Sequence, residues 1–162
     1  MGTRSMIAIE NPNTGRVKAV YCHWDGYLAY NGEILENNYG ASPKVNNLIA
    51  LGDISSLRPE IGIKHKFSRL DSELPEAEYE RLYGDMTTFY SRDRGEDAPY
   101  KSFESAATAV DHYQGSGCEY FYLYRYDDSL ESGKWFYRTR ESGRWKRVAT
   151  SLKQMAKTGP AV

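Results

Sequence analysis

Residues 118–148 constrain the fold of this chain more than any other stretch. In 118–126 Tyr120, Tyr122, Tyr124 and Tyr126 fall on one side of a period-two repeat, with Phe121 and Leu123 on the other. After a polar loop at 127–132, residues 134–140 alternate again, Trp135, Tyr137 and Thr139 against Phe136, Arg138 and Arg140. Glu141-Ser142-Gly143 then turns the chain into 144–148, which predicts a three-stranded antiparallel meander. A sheet this aromatic buries at least one face, and in a single chain helices are the elements that cover it.

The remaining elements follow from shorter patterns. Residues 6–10 and 17–22 read as strands joined by Asn11-Pro12-Asn13-Thr14-Gly15, whose residues fix or permit the φ values of a tight turn. Tyr27, Tyr30, Ile34, Leu35 and Tyr39 recur at helical spacing, and Gly32 weakens that helix by about 1 kcal/mol. A second helix is predicted to be capped by Ser42, opened by Pro43 and stopped by Gly52. Residues 53–74 read as an irregular connection with a short strand at 61–63, followed by a helix at 76–83 behind Pro75. A strand at 86–90 leads into a charged loop at 91–97. A helix capped by Ser102 then carries Phe103, Ala106, Ala107 and Val110 on one face. A last helix is expected at 149–157. These elements do not alternate as βαβ units, so the expected fold is a single α+β domain spanning 1–162: a twisted, mostly antiparallel sheet with helices packed on one face. Its parts are an N-terminal hairpin with helices (1–57), an irregular connection (58–85), and a strand, helix and meander (86–162).

Composition removes several classes of function. With 162 residues, 14% of them aromatic including fourteen Tyr, the chain is too aromatic to be disordered and long enough to fold without metal or disulfide staples. No apolar run is long enough for a membrane span, and the first ten residues are too short an apolar stretch for a signal peptide, so a cytoplasmic location is expected. Cys22 and Cys118 are then expected to be free thiols. The net charge of -1 excludes a general DNA coat. It is unevenly spread, however: residues 1–118 hold 12 Lys and Arg against 17 Asp and Glu, and residues 119–162 hold 9 against 5.

Reactive residue types are densest at Tyr21-Cys22-His23-Trp24-Asp25-Gly26-Tyr27, where a strand gives way to a helix. His23 can exchange protons near neutral pH, Asp25 can orient it, and Trp24 and Tyr27 can stack on a flat group. Equally, Trp24 can pack in the core, Asp25 can cap the helix and His23 can bond a carbonyl. Arg4 can bind an anion at the same end of the sheet or stand in a surface ion pair. Arg92 can clamp negative charge or belong to a solvated loop. His23, His65 and His112 have no metal-ligand spacing, and no phosphate-cradling glycine motif or nucleophile elbow occurs, so neither metal nor cofactor is expected. The meander adds Arg125, Arg138, Arg140, Arg144, Lys146 and Arg147 among aromatic residues. That mixture suits a protein contact and, less well given the overall charge, single-stranded nucleic acid.

The stretches Met1-Gly2-Thr3-Arg4-Ser5, Tyr21-Cys22-His23-Trp24-Asp25-Gly26-Tyr27 and Leu48-Ile49-Ala50-Leu51-Gly52-Asp53-Ile54-Ser55-Ser56-Leu57 resemble a family of small, largely uncharacterised accessory proteins of tailed bacteriophages and prophages. Arg92-Asp93-Arg94-Gly95-Glu96 and the Glu119-Tyr120 strand fit the same pattern, whereas Leu28 stands where that pattern has Pro. The resemblance implies a protein acting in the host bacterial cytoplasm and puts weight on Arg4, His23, Trp24 and Asp25. The resulting expectation is a non-enzymatic binder, with Arg4, His23, Trp24, Asp25 and Tyr27 contacting a host defence protein or its nucleotide signal, and with a homodimer possible. The alternatives are a small hydrolase or nuclease using His23 and Asp25 as an acid–base pair with Arg92, and a single-strand binder through the meander.

Overall fold

The computed structural model describes residues 2–127 and 132–158. Its hairpin is the one expected, β1 (Ser5–Glu10) pairing antiparallel with β2 (Val17–Cys22). The turn between them is held by the Asn11 side chain, which accepts from the backbone N–H of Asn13 (2.8 Å) and Thr14 (3.2 Å). The meander also forms as the alternation predicts, from β6 (Tyr120–Tyr126), β7 (Gly133–Thr139) and β8 (Lys146–Arg147). The part of the predicted polar loop at 128–131 lies outside the described residues.

β1 joins the two units, because its second edge pairs parallel with β6. The outer edge of β2 is shared. Its first half pairs antiparallel with β5 (Lys101–Phe103), and Cys22 at its end pairs parallel with Ile54 of β3 (Ile54–Ser56), which in turn meets β4 (Thr88–Phe89). The path β4-β3-β2-β1-β6-β7-β8, with β5 beside β2, is one mixed, mostly antiparallel eight-stranded sheet, and the fold is α+β.

The expectation of helices on one face needs correction. Alternate residues of β1 enter two separate cores. Ile7 and Ile9 pack with Tyr122, Tyr124, Trp135 and Tyr137 beneath α1 (Glu33–Asn38), α2 (Ser42–Ala50) and α7 (Val148–Thr158). Met6 and Ala8 pack with Phe121, Leu123, Ala109 and Tyr113 beneath α6 (Ala106–Gly115). The uninterrupted apolar run Met6-Ile7-Ala8-Ile9 is the signature of a strand buried on both sides. Each large side chain so buried stabilises the fold by roughly 1.5–3 kcal/mol.

Other differences arise where tertiary pairing overrides local sequence. Ser42 is the first residue of α2 and makes no cap, because Ala41 bridges to Ser132 and holds an extended backbone. Ser105, not Ser102, caps α6 by accepting from the Thr108 N–H (3.2 Å), since Lys101–Phe103 is recruited to the edge of β2. Residues 61–63 form no strand, and Gly62 takes φ +71°. The predicted strand at 86–90 shrinks to β4, and the charged loop behind it is largely α5 (Tyr90–Arg94). The connection 58–85 contains α3 (Arg69–Ser72) and the expected α4 (Glu76–Tyr83).

Three buried aromatic residues tie the segment after β2 to the sheet by their polar tips. Tyr122 Oη donates to the Gly26 carbonyl (2.7 Å), Tyr124 Oη to that of Gly40 (2.6 Å) and Trp135 Nε1 to that of Tyr39 (2.8 Å). These bonds fix the position of the residues that follow.

Candidate functional site

Beyond β2 the chain continues to pair for two residues. The N–H of His23 donates to the Ile54 carbonyl (3.0 Å) and that of Trp24 to Ser55 (3.1 Å). It then turns sharply. Asp25 adopts φ +57°, a left-handed conformation that Asp tolerates better than most residues, and Gly26 N–H donates to the Thr3 carbonyl (2.7 Å). A Cβ on Gly26 would lie 2.8 Å from both the Thr3 carbonyl oxygen and Ser5 Cβ, so this approach requires glycine.

Asn31, fully buried in the π-helical turn Leu28–Gly32, braces the inside of the corner. Its backbone N–H donates to the Asp25 carbonyl (3.2 Å) and its Nδ2 to the Trp24 carbonyl (3.3 Å), with Ser5 Oγ and Cys22 Sγ each at 3.4 Å. The corner is thus held by backbone pairing on one side and by Tyr122 and Asn31 on the other. This is the rigid support a recognition surface needs.

The side chains displayed there are exposed. Trp24 is 43% and Tyr27 40% accessible, the opposite of a core role for the indole. Trp24 lies edge-on to His23 (centroids 4.6 Å apart, 87° between planes), and Gly2 crosses its ring so closely that a Cβ there would collide with the indole. Tyr27 contacts Tyr30 (6.1 Å), whose hydroxyl accepts from the Arg58 guanidinium. The result is a ledge of aromatic rings with cationic ends.

His23 takes a partner that the sequence reading did not single out. Its Nδ1 lies 2.8 Å from the Tyr21 hydroxyl, and no hydrogen bond joins it to Asp25. Burial pushes the Tyr21 phenol up to about 12, so it stays protonated near neutrality and can donate to the ring nitrogen or accept from it according to the tautomer. Tyr21 lies two residues before His23 on a strand, and the period-two rule alone could have identified it. Asp25 caps no helix: Tyr27 holds the cap position of the π-helical turn without a side-chain bond.

Partial burial lowers the pKa of His23, and the charge of Arg4 lowers it further, which places Arg4 at the same end of the sheet as His23. Folding favours the neutral ring, so the stability tied to it holds above the ordinary value of 6.5 and is lost as the pH falls below that value. Arg4→Gln is expected to move the His23 titration midpoint upward without restoring it fully, because burial remains. Imidazole proton shifts followed by NMR measure this, and an unmoved midpoint would separate the two residues.

Arg92 belongs elsewhere. Its Nε and Nη2 donate to Asp93 (3.0 and 3.2 Å), Nη1 to the carbonyls of Ile61 and Gly62, and Nη2 also to that of Thr87 (2.9 Å). Its guanidinium stacks over Phe89. These bonds make it a brace for the middle segment, and neither the clamp nor the solvated-loop reading describes it. Among the described residues no group of three His, Cys, Asp or Glu side chains is placed to hold a metal ion, and no helix is long and apolar enough to cross a membrane.

A cleft of about 520 Å³ beside Tyr30, lined also by Glu33, Arg58 and Glu80, includes none of Arg4, His23, Trp24, Asp25 or Tyr27. Models of known protein families, curated proteins and solved structures return no match to this chain.

Proposed function

We propose that this chain is a non-enzymatic binding protein, a phage accessory factor that docks on a host protein inside the infected bacterium and blocks it. The observation that carries this reading is the exposure of Trp24 and Tyr27 on a corner braced by Asn31, Tyr122 and Thr3. Exposed Trp and Tyr on a rigid support are the residues that dominate protein–protein contacts. A nucleotide signal has less support, because small ligands are held in concavities that bury most of their surface, and Trp24 and Tyr27 are both exposed. An acid–base pair of His23 and Asp25 with Arg92 also has less support, given the separate partners of His23 and Arg92.

Trp24→Ala with Tyr27→Ala is expected to weaken capture of the partner from bacterial lysate by at least about thirty-fold, the equivalent of a 2 kcal/mol hot spot. Leu70→Ala, at a residue 76% exposed and away from the ledge, serves as the control and is expected to leave capture intact. Equal capture by both variants would overturn the proposal, as would failure of the unaltered chain to retain any protein. A second copy of the chain would register in the same experiment as a change in sedimentation of the purified protein.

A further inference from the structure

Among the described residues α6 packs on one face of the sheet over β1, β2 and β5, and Phe121 and Leu123 of β6 join the same core. Farther out this face continues onto β7 and β8, where alternation directs Lys134, Phe136 and Arg138 of β7 to the side opposite the buried Trp135 and Tyr137. Register places Arg125 of β6 opposite Lys134, and Arg147 of β8 opposite Phe136. Trp145 precedes Arg147 by two residues, consistent with its lying on the same side, and its ring meets Arg138 there.

The cations on this face are flat and stacked. The Phe136 ring sits between Arg125 (5.1 Å) and Arg147 (5.6 Å), and Arg138 lies over Trp145 (5.7 Å). Of the four cations Arg125 alone has a carboxylate partner among the described residues, Glu10 at 3.1 Å. Among the described residues Lys134, Arg138 and Arg147 have no ion pair, and the Nε atoms of Arg138 and Arg147 are buried without a hydrogen-bond acceptor. Three charges without an ion pair, beside guanidinium donors stacked on rings, make this face a cationic one.

We propose that this β7–β8 face binds single-stranded nucleic acid, the phosphates pairing with Lys134, Arg138 and Arg147 and the bases stacking on the guanidinium planes and the Trp145 edge. The chemistry favours a single strand over other polyanions. Planar cations backed by rings take unstacked bases, which a duplex hides and an acidic peptide lacks. β7 spans roughly 20 Å, room for a few extended nucleotides. Phosphate pairing and ring stacking depend neither on base identity nor on the 2′-hydroxyl, so binding is indifferent to sequence and sugar. The net charge of -1 does not oppose it, since the acidic excess lies in residues 1–118.

Anisotropy of a labelled twelve-nucleotide oligo-dT tests the proposal with the full chain. Three phosphate contacts on a single strand predict a loss of affinity of roughly twenty-fold between 50 and 200 mM salt. Arg138→Gln with Arg147→Gln is expected to cut the affinity at low salt at least ten-fold and reduce that salt loss to about three-fold. Should the double variant fail to fold, Lys134→Gln at an exposed position is expected to reduce the loss to about seven-fold. Oligo-U is expected to bind within a few-fold of oligo-dT, and a duplex at least ten-fold more weakly. No binding at 50 mM salt, equal affinity for duplex, or a salt response unchanged in Lys134→Gln would each overturn the proposal. Trp24→Ala leaves oligonucleotide binding intact, so failure here is distinguishable from failure of the ledge.

Discussion

Asp93→Ala is expected to lower the stability of the fold by about 3–5 kcal/mol, the range for breaking a buried ion pair by removing one partner. The Asp93 carboxylate is fully enclosed. It accepts from the backbone N–H of Phe89 (2.8 Å) and His65 (3.1 Å) as well as from Arg92. Its loss leaves two buried N–H groups without acceptors and the Arg92 charge, its side chain only 13% exposed, without a counter-ion. Damage spreads because His65 is itself a junction. The ring bonds the Ile63 carbonyl (2.8 Å) and Thr88 Oγ1 (3.2 Å) and stacks on Tyr83. Urea unfolding measures the effect. A loss below about 1 kcal/mol would show that the Arg92–Asp93 pair does not organise residues 58–94, and would return Arg92 to the list of candidate site residues.

Trp135→Ala and Trp24→Ala are expected to separate cleanly. The indole of Trp135 is 1% exposed, touches Tyr124 (5.2 Å between centroids) and bonds the Tyr39 carbonyl. Its truncation is expected to cost about 3–5 kcal/mol through lost burial and a residual cavity. Trp24 is half-exposed, and its truncation is expected to change stability by no more than about 0.5 kcal/mol. Midpoints of urea unfolding at matched slope compare the two. Comparable losses from both would mean that Trp24 belongs to the structural framework, and the docking ledge would lose its main support.

The parts of the fold legible in the sequence are those in which a local pattern and the final environment agree. Tyr122 and Tyr124 face the core with Trp135 and Tyr137, as period two requires, because β6 and β7 are neighbours in sequence and pair through one loop. The Asn11–Gly15 turn and the α4 helix behind Pro75 carry their own instructions. The Ser105 cap was not legible, since Ser102 fits the same role and is excluded only because β5 pairs with β2. The same holds for Asp93. A carboxylate in an alternating charge run reads as solvated, and only the approach of His65 from a distant position, beside the nearby Phe89 N–H, encloses it.

The candidate site divides along the same line. That reactive side chains gather between Tyr21 and Tyr27 at the end of a strand was written in the order of residues, because proximity along the chain needs no fold. Which of them meet was decided by the tertiary structure. Tyr21 is the exception, since its spacing of two from His23 already puts the two rings on one side; Arg4 arrives from the start of β1 and Arg92 is drawn away to Asp93 only in the folded chain. The physical reason is that hydrogen bonds and ion pairs act over about 3–4 Å. Spacing along a chain fixes such distances only within one element. Between elements they depend on strand register and helix placement, which this sequence settles only when its two cores close around β1.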